Sequence, residues 1–257
     1  MLEDKSIGLV LSGGGVRGMA HIGLIKAMRE HHIEAKVISG TSIGALVGAL
    51  YANGHAVEDM LKFFKETPLF QYSFFTIIKP GFIDTERYVD ILKNFFPYNS
   101  FERLDKPLYV VATDLLSGKE KVFDTGELIK PLLASAALPP VFSPVEINNV
   151  LYADGGIMNN FPIEYVKDKS EFIIGSNVSA TVPLKKKALR NSFQLTARVT
   201  SLMIHASNDE KLHQCDLFIE PAELDSIGVL DKKGIENAFN IGYEHGCRAL
   251  EKIVSKT

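Results

Sequence analysis

The chain of 257 residues has no tryptophan and only two cysteines, Cys215 and Cys247. So few thiols exclude a disulfide scaffold, and a reducing cytoplasm is the expected setting. Neither charge sign is in surplus: 28 Lys and Arg stand against 31 Asp and Glu, a net charge of −3. That balance excludes the basic footprint of a nucleic-acid-binding protein. Long apolar runs are missing too. The longest, Ile43 to Ala52, is far short of the roughly 20 residues a membrane-spanning helix needs. The start, Met1 to Ile7, lacks the basic opening and apolar stretch of a secretory signal. A cytoplasmic chain is expected, with attachment to a membrane surface left open.

What is present suits a large α/β core. Hydrophobic residues make up 46% and charged residues 23%, with a mean hydropathy of +0.07. One domain spanning residues 1–257 is expected, without repeats or low-complexity linkers. Short apolar runs at Ile7–Ser12, Val37–Ser39, Leu108–Thr113, Phe172–Ser176 and Leu217–Ile219 read as strands. Lys119–Phe123 reads as a hairpin arm, and Val145–Tyr152 as two strands joined at Asn148-Asn149. Helical spacing appears over 17–31, 42–52, 57–64, 85–96, 127–138, about 191–213 and about 232–254. Alternating strands and helices predict a mostly parallel sheet with helices on both faces, a three-layer α/β/α sandwich. Lys185-Lys186-Lys187 reads as a solvated loop.

Gly13-Gly14-Gly15-Val16-Arg17-Gly18 follows a strand and opens a helix. The spacing of Gly13, Gly15 and Gly18 meets the dinucleotide fingerprint, but the second strand ends Ser39-Gly40-Thr41-Ser42 without the acid that would hold a ribose. No Gly-Lys-Ser/Thr follows, so a P-loop fails as well. The surviving readings are a plain tight turn and a set of exposed amides at a helix N-terminus, which suits an oxyanion hole.

Gly40-Thr41-Ser42-Ile43-Gly44 matches G-x-S-x-G between a strand and a helix, the setting of a nucleophile elbow. Ser42 is the candidate nucleophile, and a serine N-cap is the plainer alternative. None of the seven histidines stands in a short loop after a strand, where a triad histidine is delivered; His205 is the least unsuitable. Asp154, in Tyr152-Ala-Asp154-Gly155-Gly156, follows a strand directly and is the better candidate base; a turn residue is its alternative. Asp114 reads as a structural turn acid.

These blocks, in order, resemble the three motifs of the patatin-like phospholipases, and Ala112-Thr-Asp114 and Ala134 to Phe142 resemble further blocks of that family. The likeness covers roughly residues 7–178. It implies a Ser42–Asp154 dyad, an oxyanion hole from Gly13, Gly14 and Gly15, and a loop ordered by Arg17 with Gly18. It also implies acyl-ester lipid substrates and no metal or organic cofactor, while peripheral membrane contact stays open. A small-ester esterase or thioesterase, or a non-catalytic relative, is the alternative. Phe70 to Phe82, rich in aromatic and aliphatic residues, reads either as a lid or acyl-chain wall, or as packing within the core.

Overall fold

The computed structural model describes residues 5–68, 72–186 and 189–254. Eight strands form one mixed sheet: β1 (Ile7–Leu11), β2 (Ala35–Thr41), β3 (Leu108–Asp114), β4 (Lys119–Phe123), β5 (Val145–Ile147), β6 (Val150–Asp154), β7 (Phe172–Ser176) and β8 (Leu217–Ile219). Their order is β5-β6-β3-β2-β1-β7-β8, with β4 paired to β3 off this path. Strands β3, β2, β1, β7 and β8 are mutually parallel, and β4, β6 and β5 add antiparallel pairing at one side. The sheet is thus parallel at its centre, as expected, and mixed at that edge.

The apolar strands are buried on both faces. Leu9, Leu11, Ile38 and Ile174 join the larger core, while their neighbours Val10, Val37 and Ile173 join a smaller core on the opposite face. This alternation is the period of two that strand geometry imposes. Helices α1 (Met19–Glu30), α2 (Ile43–Ala52), α3 (Val57–Glu66), α4 (Val89–Lys93), α5 (Ile129–Ser135) and α8 (Ile235–Val254) supply residues to the larger core. Helices α6 (Glu164–Lys167) and α7 (Ser192–Leu212) contribute Val166 and Leu212 to the smaller one. Helices therefore lie on both faces. Among the described residues no helix is long and apolar enough to cross a membrane.

Two helices are shorter than their patterns predict. The helix expected over 85–96 is a 3-10 turn at Thr85–Tyr88 followed by α4, which ends at Lys93. Pro97 disfavours helical backbone at the residue before it, so the pattern frays there. The helix expected over 127–138 is α5, only Ile129–Ser135. Its continuation is diverted: the Ala137 carbonyl accepts from the Asp154 amide at 3.0 Å and so belongs to the sheet end. The short helix α6 had no visible periodicity. Asn148 and Asn149, both at positive φ (53° and 62°), make the tight β5–β6 turn as expected.

Candidate active site

Ser42 lies between β2 and α2 at φ 55°, ψ −123°, a conformation that costs a non-glycine residue free energy and persists only when its surroundings enforce it. They do so here. The Ser42 amide donates to Ser135 Oγ at 2.8 Å, and that hydroxyl donates to the Val111 carbonyl at 2.6 Å. A Cβ on Gly44 would overlap the Leu11 carbonyl, and one on Gly40 would press into the Gly44 backbone. Glycine at both positions lets α2 start against the ends of β1 and β2.

Asp154 ends β6. Thr41, the last residue of β2, pairs with Val111 of β3, and Asp154 pairs with the next residue, Ala112. The antiparallel strand β6 thus delivers its carboxylate to the carboxyl end of β2. Asp154 Oδ2 accepts from Ser42 Oγ at 2.6 Å, and Oδ1 accepts from the Gly156 amide at 2.7 Å. The side chain is buried. Desolvation pushes its pKa up to about 6, held from rising further by the hydrogen bonds from Ser42 and Gly156. The group is therefore ionised at neutral pH, yet more basic than an ordinary carboxylate.

The glycine loop leads from β1 into a 3-10 turn, Gly15–Gly18, that continues into α1. Its donors divide cleanly. The Ser12 amide bonds the Ser176 carbonyl at 3.1 Å, and the Val16 amide bonds the Val229 carbonyl at 2.8 Å. The Gly13 amide bonds Asn160 Oδ1 at 3.1 Å. Among the described residues the Gly14 and Gly15 amides have no acceptor. The Gly13 carbonyl accepts from Ser179 Oγ at 2.5 Å and Ser12 Oγ at 3.0 Å. Because the peptide is trans and planar, the Gly14 N–H points the opposite way. Gly15 sits at φ 60° with its α-carbon against the Val229 carbonyl, a place no side chain fits. The Gly13 α-carbon lies against Ser42, and Gly18 packs on Ile43, so the loop and the elbow abut.

Arg17 does not fold back on its own loop. Its Nε donates to the Ile227 carbonyl at 2.8 Å and its Nη2 to the Asp225 carbonyl at 3.1 Å. It pins a C-terminal strap, residues 225–229, against the glycine turn. Nothing in the local sequence around Arg17 marks a partner more than 200 residues away.

Three groups went unmarked in the sequence. Asn160, six residues after Asp154, orients the Gly13 amide, and its buried neighbour Asn159 accepts through its carbonyl from Thr41 Oγ1 at 2.8 Å. Two adjacent amides after a glycine turn were the only available signal. His21 is fully buried in α1, with Nε2 2.9 Å from the Ser12 carbonyl and Nδ1 2.8 Å from Ser176 Oγ. A carbonyl only accepts, so Nε2 carries the proton and Nδ1 accepts from the serine. Burial pushes its pKa down to about 4, so the ring is neutral.

The remaining candidates fall away from the centre. His205 lines a small cavity with Asn160, Phe161, Asn177 and Leu212 among others, and it makes no hydrogen bond to Ser42 or Asp154. Asp114 Oδ1 accepts from the amides of Leu116 and Ser117, the turn role expected of it. Of the segment 70–82, Phe70 and Gln71 lie outside the described residues, as does Lys187 of the lysine run. Core packing does not describe the rest. Ile77 and Ile78 are 101% and 92% exposed, and among the segment's described side chains only Phe74 reaches the core edge.

The patatin-like phospholipase family profile matches residues 9–167. An uncharacterized NTE family protein of Mycobacterium bovis is 36% identical over 166 residues, covering 63% of this chain and 45% of that protein. The lysophospholipase NTE1 of Scheffersomyces stipitis is 28% identical over 187 residues, covering 70% of this chain and 12% of that protein. The chain spans less than half the length of these curated relatives. VipD from Legionella pneumophila shares the fold, with a TM-score of 0.64 at 16% identity over 97% of this chain and 67% of VipD. The match over well more than half of the residues, with the three motifs brought to one sheet edge, makes the chain a member of the patatin-like phospholipase family.

Proposed function

We propose that the chain is a serine lipid acyl hydrolase of the phospholipase A or lysophospholipase type, acting through Ser42 and Asp154. The observation that carries this reading is the 2.6 Å contact between the Ser42 hydroxyl and a buried carboxylate, at a strained elbow beside unpaired amides. Family membership and a relative named a lysophospholipase point to the same substrate class.

In the proposed reaction Asp154 takes the Ser42 proton as Oγ attacks the acyl carbonyl. The carbonyl oxygen gains negative charge against the Gly14 and Gly15 amides, at the positive end of the helical segment that begins at Gly15. The tetrahedral centre collapses, the alcohol leaves with the proton from Asp154, and an acyl-serine remains. Water, giving its proton to Asp154, then attacks that ester; Ser42 recovers the proton and the fatty acid departs. Arg17 and Asn160 hold the loop so that its donors are in place before charge develops.

The test is fatty-acid release from phosphatidylcholine, lysophosphatidylcholine and a short-chain nitrophenyl ester, comparing wild type with Ser42→Ala. Release from the lipids, lost in the variant, is expected. Turnover confined to the short ester would move the assignment to a general carboxylesterase. Equal lipid release by Ser42→Ala would remove Ser42 from the reaction.

A further inference from the structure

Residues 74–84 form a narrow hairpin whose base is bonded to the segment that leads from α5 to β5. The Asp84 amide donates to the Phe74 carbonyl at 2.8 Å, and the Thr76 amide to the Phe82 carbonyl at 3.1 Å. Its base is fixed where the Ile83 amide donates to the Val141 carbonyl at 2.9 Å and the Ser143 amide to the Ile83 carbonyl at 2.8 Å. Four residues before Val141, the Ala137 carbonyl accepts the backbone amide of Asp154. A short strap therefore ties the hairpin base to the candidate catalytic base.

The tip is built to leave water. Phe75, Ile77, Ile78 and Phe82 are exposed by 56%, 101%, 92% and 60%. From Thr67 to Ile83 the only formal charge is Lys79, and its ammonium is turned back to the hairpin base, 2.8 Å from Asp84 Oδ1 and in contact with Glu86. The tip amides of Ile78 and Lys79 are covered locally, both donating to Thr76 Oγ1 at 3.3 Å. An exposed apolar tip whose one charge is withdrawn to its base suits entry into hydrocarbon, where an unpaired charge is costly. The four side chains offer on the order of 500 Å², below the roughly 800 Å² per partner of a stable protein interface. A few aliphatic and aromatic side chains do suffice for insertion into the boundary of a bilayer.

We propose that the 74–84 hairpin is an interfacial anchor that inserts Ile77 and Ile78 into the lipid surface beside Ser42. This rests on the lipid hydrolase reading but is tested separately from it. The anchor would hold the site against its substrate surface without enclosing it.

The chain has no tryptophan, so Ile77→Trp provides a single reporter. On addition of phosphatidylcholine vesicles its emission should shift to the blue and be quenched by lipids brominated on the acyl chain. In sedimentation with the same vesicles, Ile77→Glu/Ile78→Glu should bind at least about tenfold more weakly, while hydrolysis of a soluble short-chain ester stays at the wild-type rate. Unchanged emission with vesicles present overturns the anchor, and so does a blue shift that tracks protein concentration without lipid, which would mean a second copy covers the tip. Loss of soluble-ester turnover in the double variant also overturns it, since the hairpin would then be part of the site. Absence of all ester hydrolysis with vesicle binding intact would instead sink the hydrolase reading and leave the anchor standing.

Discussion

Thr41 and Asp154 occupy consecutive positions along the same edge of β3, opposite Val111 and Ala112. One strand arrives parallel and the other antiparallel, so their ends meet head to head. The residue after Thr41 is Ser42, and the meeting places its hydroxyl on the Asp154 carboxylate without help from a histidine.

The raised pKa of Asp154 sets the pH dependence of the proposed reaction. The base must be ionised to accept a proton, so kcat/KM should fall tenfold per pH unit below about 6 and level off above it. Initial rates on a soluble ester between pH 4.5 and 8 measure this. A midpoint near the ordinary carboxylate value of 3.8 would mean the group is not desolvated as described.

The same burial costs stability, with a defined sign. Between 3.8 and about 6 the folded protein keeps a proton on Asp154 that the unfolded chain has released. Rising pH through that window therefore favours unfolding, by about 3 kcal/mol once both states are ionised. Asp154→Asn cannot ionise. Its Tm should exceed that of wild type by about 5 °C at pH 7.5 and match it near pH 4. Thermal melts at the two pH values check this, and a less stable variant at pH 7.5 contradicts it.

Asn160 acts on the reaction through the Gly13 amide. Asn160→Ala should lower kcat by about 10- to 100-fold with little change in KM, because it loosens the glycine loop without touching substrate. Asn160→Asp keeps an acceptor but adds a negative charge near Asp154; the two side chains both approach Gly156. That charge should move the acidic limb of the pH profile upward. An unmoved limb in Asn160→Asp would show the two groups to be electrostatically separate.

Arg17→Lys keeps the charge but cannot span both strap carbonyls. Faster amide exchange at residues 225–229 and a kcat lowered by about tenfold are expected. Normal exchange at the strap together with lowered activity would mean Arg17 acts directly at the site.

The parts of this arrangement that sequence revealed are those with local causes. A strand, a glycine turn and a helix in succession mark the elbow at Ser42, and an acid before two glycines marks Asp154. The order of the strands was not legible, nor was the single-residue offset on β3, because pairing depends on partners far along the chain. For the same reason Asn160, the Arg17 strap and the two-serine cradle of His21 stayed hidden. Each is a lone polar residue with a partner 147 to 210 residues away along the chain. The hairpin at 74–84 was ambiguous because apolar content alone does not distinguish a core strand from an exposed tongue; the packing at its base decides that.

The most direct test is labelling with a fluorophosphonate, read by intact mass and peptide mapping on wild type and Asp154→Asn. One adduct is expected, on Ser42, forming at least about a hundredfold more slowly in the folded variant. An adduct elsewhere, or one on Ser42 at an undiminished rate in Asp154→Asn, would contradict the dyad.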